Sequence, residues 1–192
     1  MSADAPIAVS LGDPAGIGPE IIAAAWSQRK ELNLPPFFVV GGADVLEAAA
    51  ASRTLDVMAQ MIERPSECAA AFERNLPVLG EADGSFSPSS PMSEGATLAM
   101  HSLAEATRCA LLGQASAVVT APVAKAELAK VGFEYPGQTE FLAEVCGLDA
   151  NDAVMMLAGP SLRAVPLTVH VAIKDVPDLL SEELIIHKAQ IC

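Results

Sequence analysis

An apolar run from Ile7 to Leu11 ends on Gly12-Asp13-Pro14-Ala15-Gly16-Ile17-Gly18-Pro19-Glu20, and an apolar helical pattern begins near Ile21. That order commits the chain to a strand, a sharp turn and a helix. Glycine at 12, 16 and 18 lets the backbone turn tightly and be approached closely. Pro14 and Pro19 fix φ on either side, and Pro19 suits the first turn of a helix. Two readings follow. The stretch is a tight connection that binds nothing, or it is a turn at the carboxyl end of a strand, where open α/β sheets receive ligands. The glycine spacing is not that of a dinucleotide-binding G-x-G-x-x-G loop, and no Gly-Lys-Ser/Thr follows to cradle a phosphate.

Downstream the same alternation repeats. Phe37–Val40 reads as a second strand closed by Gly41-Gly42, and Ala43–Ser52 as a second helix. Strand, helix, strand, helix argues for a parallel or mixed sheet covered by helices. Residues 56–63 fit a strand or an irregular segment, and Leu76–Leu79 a short strand. Residues 80–91, with Pro88, Pro91 and serines at 85, 87, 89 and 90, read as an exposed loop able to close over a site. Ser93-Glu94 opens the clearest helix, with Ala96, Leu98, Ala99, Leu103, Ala106, Ala110 and Leu111 on an apolar face up to Gly113. A strand over 116–121, a short helix over 123–131 and a helix over 139–146 follow. The apolar runs 154–157 and 162–170, split by Gly159-Pro160-Ser161, predict an antiparallel hairpin. Residues 175–191 predict one final helix with Asp175 as its N-cap. No repeat and no domain-separating linker is visible.

The net charge of −13 over 192 residues argues against a nucleic-acid surface, which carries a basic patch. No apolar run is long enough to span a bilayer, and Met1–Pro6 has neither the basic nor the apolar region of a signal peptide. Cys68, Cys109, Cys146 and Cys192 are far apart and without C-x-x-C spacing, so they fit reduced thiols rather than a zinc or redox motif. These features predict a soluble, cytoplasmic protein that binds neither membrane nor nucleic acid.

The chemistry-bearing residues are few. His170, in Leu167-Thr168-Val169-His170-Val171, is either a satisfied core residue or a metal ligand. His101 and His187 fall in helical patterns without an H-x-x-x-H partner. Gly137-Gln138-Thr139-Glu140 opens a helix whose N–H groups can meet an anion, with Gln138 and Thr139 as neutral polar groups; ordinary capping by Thr139 is the alternative. Lys125, after Thr120-Ala121-Pro122-Val123-Ala124, is a helix-start cation facing an anion or solvent. Asp13 is a site carboxylate or the cap of its own turn. No G-x-S-x-G nucleophile elbow is present.

Taken together, Val9–Glu20, Thr120–Lys125, Gly137–Phe141, Val154–Ala158 and Leu167–His170 resemble, in order, the PdxA family of 4-hydroxythreonine-4-phosphate dehydrogenases. The resemblance implies an α/β/α sandwich similar to isocitrate and isopropylmalate dehydrogenases, incomplete at the C-terminus. The chain would be the N-terminal portion of such an enzyme. Such enzymes oxidise 4-phosphooxy-L-threonine with NAD or NADP and a divalent metal (Zn, Mg or Co), and the product loses CO₂ to give 3-amino-2-oxopropyl phosphate in pyridoxal phosphate biosynthesis. His170 then matches a metal ligand, Gln138 and Thr139 substrate contacts, and Asp13 and Lys125 site-shaping positions near the active-site cleft. The resemblance further implies a homodimer with its active site at the subunit interface.

Two departures stand out. Gln138 occupies a position where the family commonly has His, and Gln cannot become a cation. Further metal histidines and the later Lys, Asn and Arg substrate contacts have no counterpart in these 192 residues, which predicts that this chain alone lacks turnover. Alternatives are a paralogue acting on another phosphorylated hydroxy acid, such as erythronate 4-phosphate, and a truncated interaction module with exposed apolar surface.

Overall fold

The computed structural model describes residues 5–149, 152–169 and 171–192. The chain divides into two compact units, Met1–Glu134 and Tyr135–Cys192.

In the first unit five strands form one parallel sheet in the order β3-β4-β2-β1-β5: β1 is Ile7–Ser10, β2 Phe37–Val40, β3 Ala59–Ile62, β4 Leu76–Leu79 and β5 Ala117–Thr120. Helices α1 (Gly18–Ser27), α2 (Ala43–Ser52), α3 (Cys68–Phe72) and α4 (Ser93–Leu111) connect them, and α5 (Lys125–Lys130) follows β5. Strand side chains alternate between faces, and two cores result. Val9, Leu11, Phe37 and Val39 pack with Ile22, Ala23, Trp26, Leu46 and Ala50 of α1 and α2. Ala8, Phe38 and Val40 pack with Cys68 and Ala71 of α3 and Ala106 and Cys109 of α4. Because both faces are covered, β2 and β4 are buried throughout, as parallel strands are. This is the α/β arrangement that the strand–helix alternation predicts.

Ser102 shows how α4 is held on the sheet. It is fully buried on the helix's apolar stripe; its Oγ accepts from the Leu11 N–H at 2.8 Å and donates to the Val40 carbonyl at 2.7 Å. One hydroxyl thus satisfies backbone groups at the carboxyl ends of two neighbouring strands, where the ladder no longer supplies partners.

Several expectations need correction. The strand within 56–63 is Ala59–Ile62, and a 3₁₀ turn over Pro65–Glu67 with α3 fills a stretch without a sequence assignment. Leu111, expected on the apolar face of α4, is 52% exposed, while Cys109 and Ala110 before it still pack on the sheet. The loop after β4 is mostly exposed, as read from the sequence, and is also held by hydrogen bonds. Ala82 O accepts from Gly42 N–H at 2.8 Å, Asp83 Oδ2 from Asp44 N–H at 2.8 Å, and Ala15 O from Ser89 N–H at 2.9 Å.

In the second unit α6 (Gln138–Val145) carries the buried Phe141 and Ala143, and Tyr135 meets Phe141 edge-on at 5.4 Å. The hairpin is present but short: β6 (Leu157–Ala158) pairs antiparallel with β7 (Arg163–Ala164). The single final helix is two. A 3₁₀ turn (Ile173–Asp175) runs into α7 (Val176–Leu179), the backbone turns extended at Leu180, and α8 (Glu182–Ile191) starts afresh. The N-cap of α8 is Ser181, whose Oγ accepts from Leu184 N–H at 3.1 Å, while Asp175 makes no side-chain cap. Glu182 and Glu183 in the first turn suit the positive end of the helix. Large apolar side chains stay exposed here, among them Leu157, Leu162, Ile173, Ile185 and Ile186. No helix among the described residues is long and apolar enough to cross a membrane.

Candidate active site

The chain leaves β1 toward β2 on one side, and β5 returns on the other. The carboxyl ends of β1 and β5 therefore flank the point where strand order reverses, which is where open parallel sheets form a crevice. Two of the sequence motifs meet there. Asp13 N–H donates to Pro122 O at 2.9 Å, and Ala121 N–H to Ser10 Oγ at 3.3 Å. Gly12 permits the contact. Its φ is +73°, and a Cβ on it would lie 2.5 Å from Pro122 O and 2.8 Å from Ala121 Cβ. The glycine is thus a packing requirement between two turns.

Asp13 is 5% exposed, and its Oδ1 accepts from Ala15 N–H at 2.8 Å. It does cap its own turn, and it also lines a cavity of about 240 Å³ with Asp83, Ser85, Ser87, Glu94 and Gly95. Sequence reasoning assigned none of these five neighbours. The signal was the serine- and glycine-rich 80–91 loop, which docks on the signature turn through Ser89. Lys125 is the exposed first residue of α5 and lies outside that cavity. A larger depression of about 720 Å³ over the ends of β3 and β4 is lined by Glu63, Glu81, His101 and Glu105. Its Glu105 is already paired with Arg108 at 2.5 Å, a contact that holds the carboxyl below its ordinary range.

In the second unit Gly137 is the N-cap of α6 and offers no side chain, so capping by Thr139 is not what starts this helix. Gln138 and Thr139 are its first two residues. Thr139 is exposed and lines a separate cavity of about 120 Å³ with Glu140, Val154, Met155, Val169 and Lys188. Lys188 Nζ donates to Ala153 O at 3.2 Å, and its neighbour His187 meets Asp152 at 2.8 Å, so α8 is tied to the chain before the hairpin. Lys188 was not singled out from sequence, since a lone helix lysine carries no local signal. His170 lies outside the described residues. Among the described residues no three His, Cys, Asp or Glu side chains converge closely enough to hold a metal ion.

The chain is similar in sequence and fold to known proteins. A 4-hydroxythreonine-4-phosphate dehydrogenase of Erythrobacter litoralis is 55% identical over 97% of this chain and 55% of its own length. One from Zymomonas mobilis is 48% identical over 97% and 54%. The crystal structure of the 4-hydroxythreonine-4-phosphate dehydrogenase of Klebsiella pneumoniae matches with a TM-score of 0.84 at 30% identity, over 97% of this chain and 57% of that one. The chain spans about half the length of the curated relatives it matches. Residues 33–192 match the family described as pyridoxal phosphate biosynthetic protein PdxA, and the chain belongs to that family.

Proposed function

We propose that this chain is part of an NAD(P)-linked, metal-dependent dehydrogenase that oxidises 4-phosphooxy-L-threonine in the cytoplasm on the way to pyridoxal phosphate. The observation that carries the reading is the 55% identity to a relative bearing that activity's name, sustained over 97% of this chain. In the proposed reaction the secondary alcohol gives up hydride to the nicotinamide and a proton to the surroundings, and the β-keto acid then loses CO₂.

The chain's own residues would bind and orient. The first-turn N–H groups of α6, the Gln138 amide and the Thr139 hydroxyl offer donors to an anionic substrate. Lys188 adds a cation to the cavity that Thr139 lines. A bound divalent metal would polarise the alcohol and stabilise the charge left by decarboxylation. His170 is proposed as one ligand from the family resemblance alone. Among the described residues no three His, Cys, Asp or Glu side chains complete a metal site. The homodimer with a shared active site is likewise a proposal from the resemblance.

Gln138 favours one second reading. A neutral amide where the family commonly places an imidazole suits a related phosphorylated hydroxy acid, such as erythronate 4-phosphate. NAD⁺ reduction at family length, with each substrate in turn, decides. Turnover is expected on 4-phosphooxy-L-threonine with Thr139→Ala raising KM. Turnover on erythronate 4-phosphate alone would replace the first reading by the second, and turnover on neither would refute both. The 192-residue chain alone is expected to reduce no NAD⁺.

A further inference from the structure

The parallel sheet of the first unit has two outer strands, and the structure treats them differently. We propose that one of them, β5, is a docking edge for a further strand supplied by the second half of a family-length PdxA chain. The proposal rests on family membership and not on the dehydrogenase reading, and it names the strand at which the two halves join.

β3 and β5 are the outer strands. An outer strand presents a row of unmet N–H and C=O groups, and proteins blunt a permanent edge with charge. β3 is blunted in this way. Leu76 N–H donates to Met58 O at 2.9 Å, so Met58, Gln60 and Ile62 address β4, while Ala59, Met61 and Glu63 turn their backbone groups outward. Glu47 Oε1 accepts from Ala59 N–H at 2.8 Å, and Glu67 Oε2 from Glu63 N–H at 3.2 Å. A carboxylate therefore stands at each end of the outward row.

β5 has no such guard. Ser116 N–H donates to Pro6 O at 2.9 Å, so Ser116, Val118 and Thr120 address β1, and Ala117 and Val119 turn their N–H and C=O groups outward. The strand itself, Ala117-Val118-Val119-Thr120, holds no charge. Ala117 and Val119 are exposed, Val119 to 49%, whereas β2 and β4 are buried throughout. Strands of a parallel sheet are covered on both faces, so a half-bare one lacks a neighbour. α1 starts beside the exit of β5, where a Cβ on Gly18 would lie 3.1 Å from Ala121 Cβ, and it leaves Ile17 59% and Ile21 52% exposed. Open backbone beside apolar, uncharged side chains is the surface that strand addition uses.

The relatives indicate the occupant. The match takes in 97% of this chain but only 55% of the Erythrobacter litoralis relative and 57% of the Klebsiella pneumoniae structure. Close to half of each family-length chain thus has no counterpart here and is available to reach β5. A second copy of this chain, pairing β5 to β5, is the competing occupant.

Amide hydrogen exchange is followed in the 192-residue chain and in a chimaera that continues it with the unmatched part of the Erythrobacter litoralis relative. In the chain alone, Ala117 and Val119 should exchange as fast as Met61. In the chimaera they should slow by about 100-fold or more, while Met61 on the guarded edge stays fast. Val119→Lys puts a charge on the open edge. It should leave the Trp26 unfolding transition of the 192-residue chain unchanged and abolish the protection of Ala117 in the chimaera. Should the chimaera not fold, the same comparison is made between the relative's own full-length chain and its matched region alone, at the position equivalent to Val119. Unchanged exchange at Ala117 and Val119, protection arising at Met61 instead, or protection that survives Val119→Lys overturns the proposal. Protection of Val119 in the 192-residue chain with a doubled mass assigns the edge to a second copy and overturns it as well. No substrate or cofactor enters these readouts, so failure of the dehydrogenase reading shows separately, as absence of NAD⁺ reduction at family length.

Discussion

Replacing Ser102 by alanine tests the join between α4 and the strand ends that carry the signature turn. The substitution removes one acceptor and one donor at a fully buried position, and it strands Leu11 N–H and Val40 C=O, whose residues are 0% and 1% exposed. Water cannot reach either group without opening the core. A buried polar group left unmet costs about 1–3 kcal/mol, and a carbonyl is the more tolerant of the two, so the sum is about 2–4 kcal/mol. With a urea slope of roughly 2 kcal/mol/M for a unit of this size, the midpoint should fall by about 1–2 M. Trp26, the one tryptophan and 4% exposed in α1, reports unfolding of this unit. Thr97→Ala is the control. Its Oγ1 donates to Ser93 O within the same helix at an exposed site, and the loss should stay within about 0.5 kcal/mol. A Ser102→Ala midpoint within about 0.3 M of the parent, at equal slope, would refute the argument that one hydroxyl satisfies both strand ends.

Gly12→Ala should be more damaging still, because the added Cβ meets the Pro122 carbonyl at 2.5 Å and φ is +73°; soluble yield and the Trp26 transition should both drop, and a parent-like transition would contradict the packing. Burial pushes the Cys68 thiol up to about 12 from the ordinary 9.0, so in the native protein at pH 8 a thiol reagent should label Cys146 and Cys192 and spare Cys68. The folded state holds that proton more tightly than the unfolded one. Its stabilising share is therefore complete below about pH 9 and is lost as the pH climbs toward about 12; Cys68→Ala should flatten that part of the stability–pH curve. Ser181→Ala removes the α8 cap and should cost that helix about 1 kcal/mol, read as faster amide exchange at Leu184 with α4 unchanged.

Much of the first unit was legible because its information is local. Phe37–Val40 lies between Pro36 and Gly41, Ala43–Ser52 begins straight after Gly42, and the structure gives both elements those bounds. The second unit was less legible. Its final helix breaks at Leu180 because Ser181-Glu182-Glu183 caps a new one, a signal that was present in the sequence and outweighed by the apolar pattern running through it. The cavity at Asp13 was legible only as its separate parts, a candidate site carboxylate and a loop able to close over a site. It needs the 80–91 loop to lie on residues far earlier in the chain, through Ser89 to Ala15 and Asp83 to Asp44, and no local pattern encodes such a meeting. Ser102 was hidden for the opposite reason: on an alanine-rich stripe a serine passes as another small residue until its two backbone partners are seen.

The position of β5 next to β1 also sets an order of events during synthesis. Ser10 waits for a bond from Ala121, 111 positions later, while its other neighbour β2 follows within a single helical crossover. A nascent chain that has exposed β1, β2 and β4 therefore carries a parallel sheet with one raw flank, and pairing across so long a separation is slow. Translation that stalls before residue 120 would leave that flank open to other chains, and such ribosome-bound intermediates should be the ones that chaperones capture.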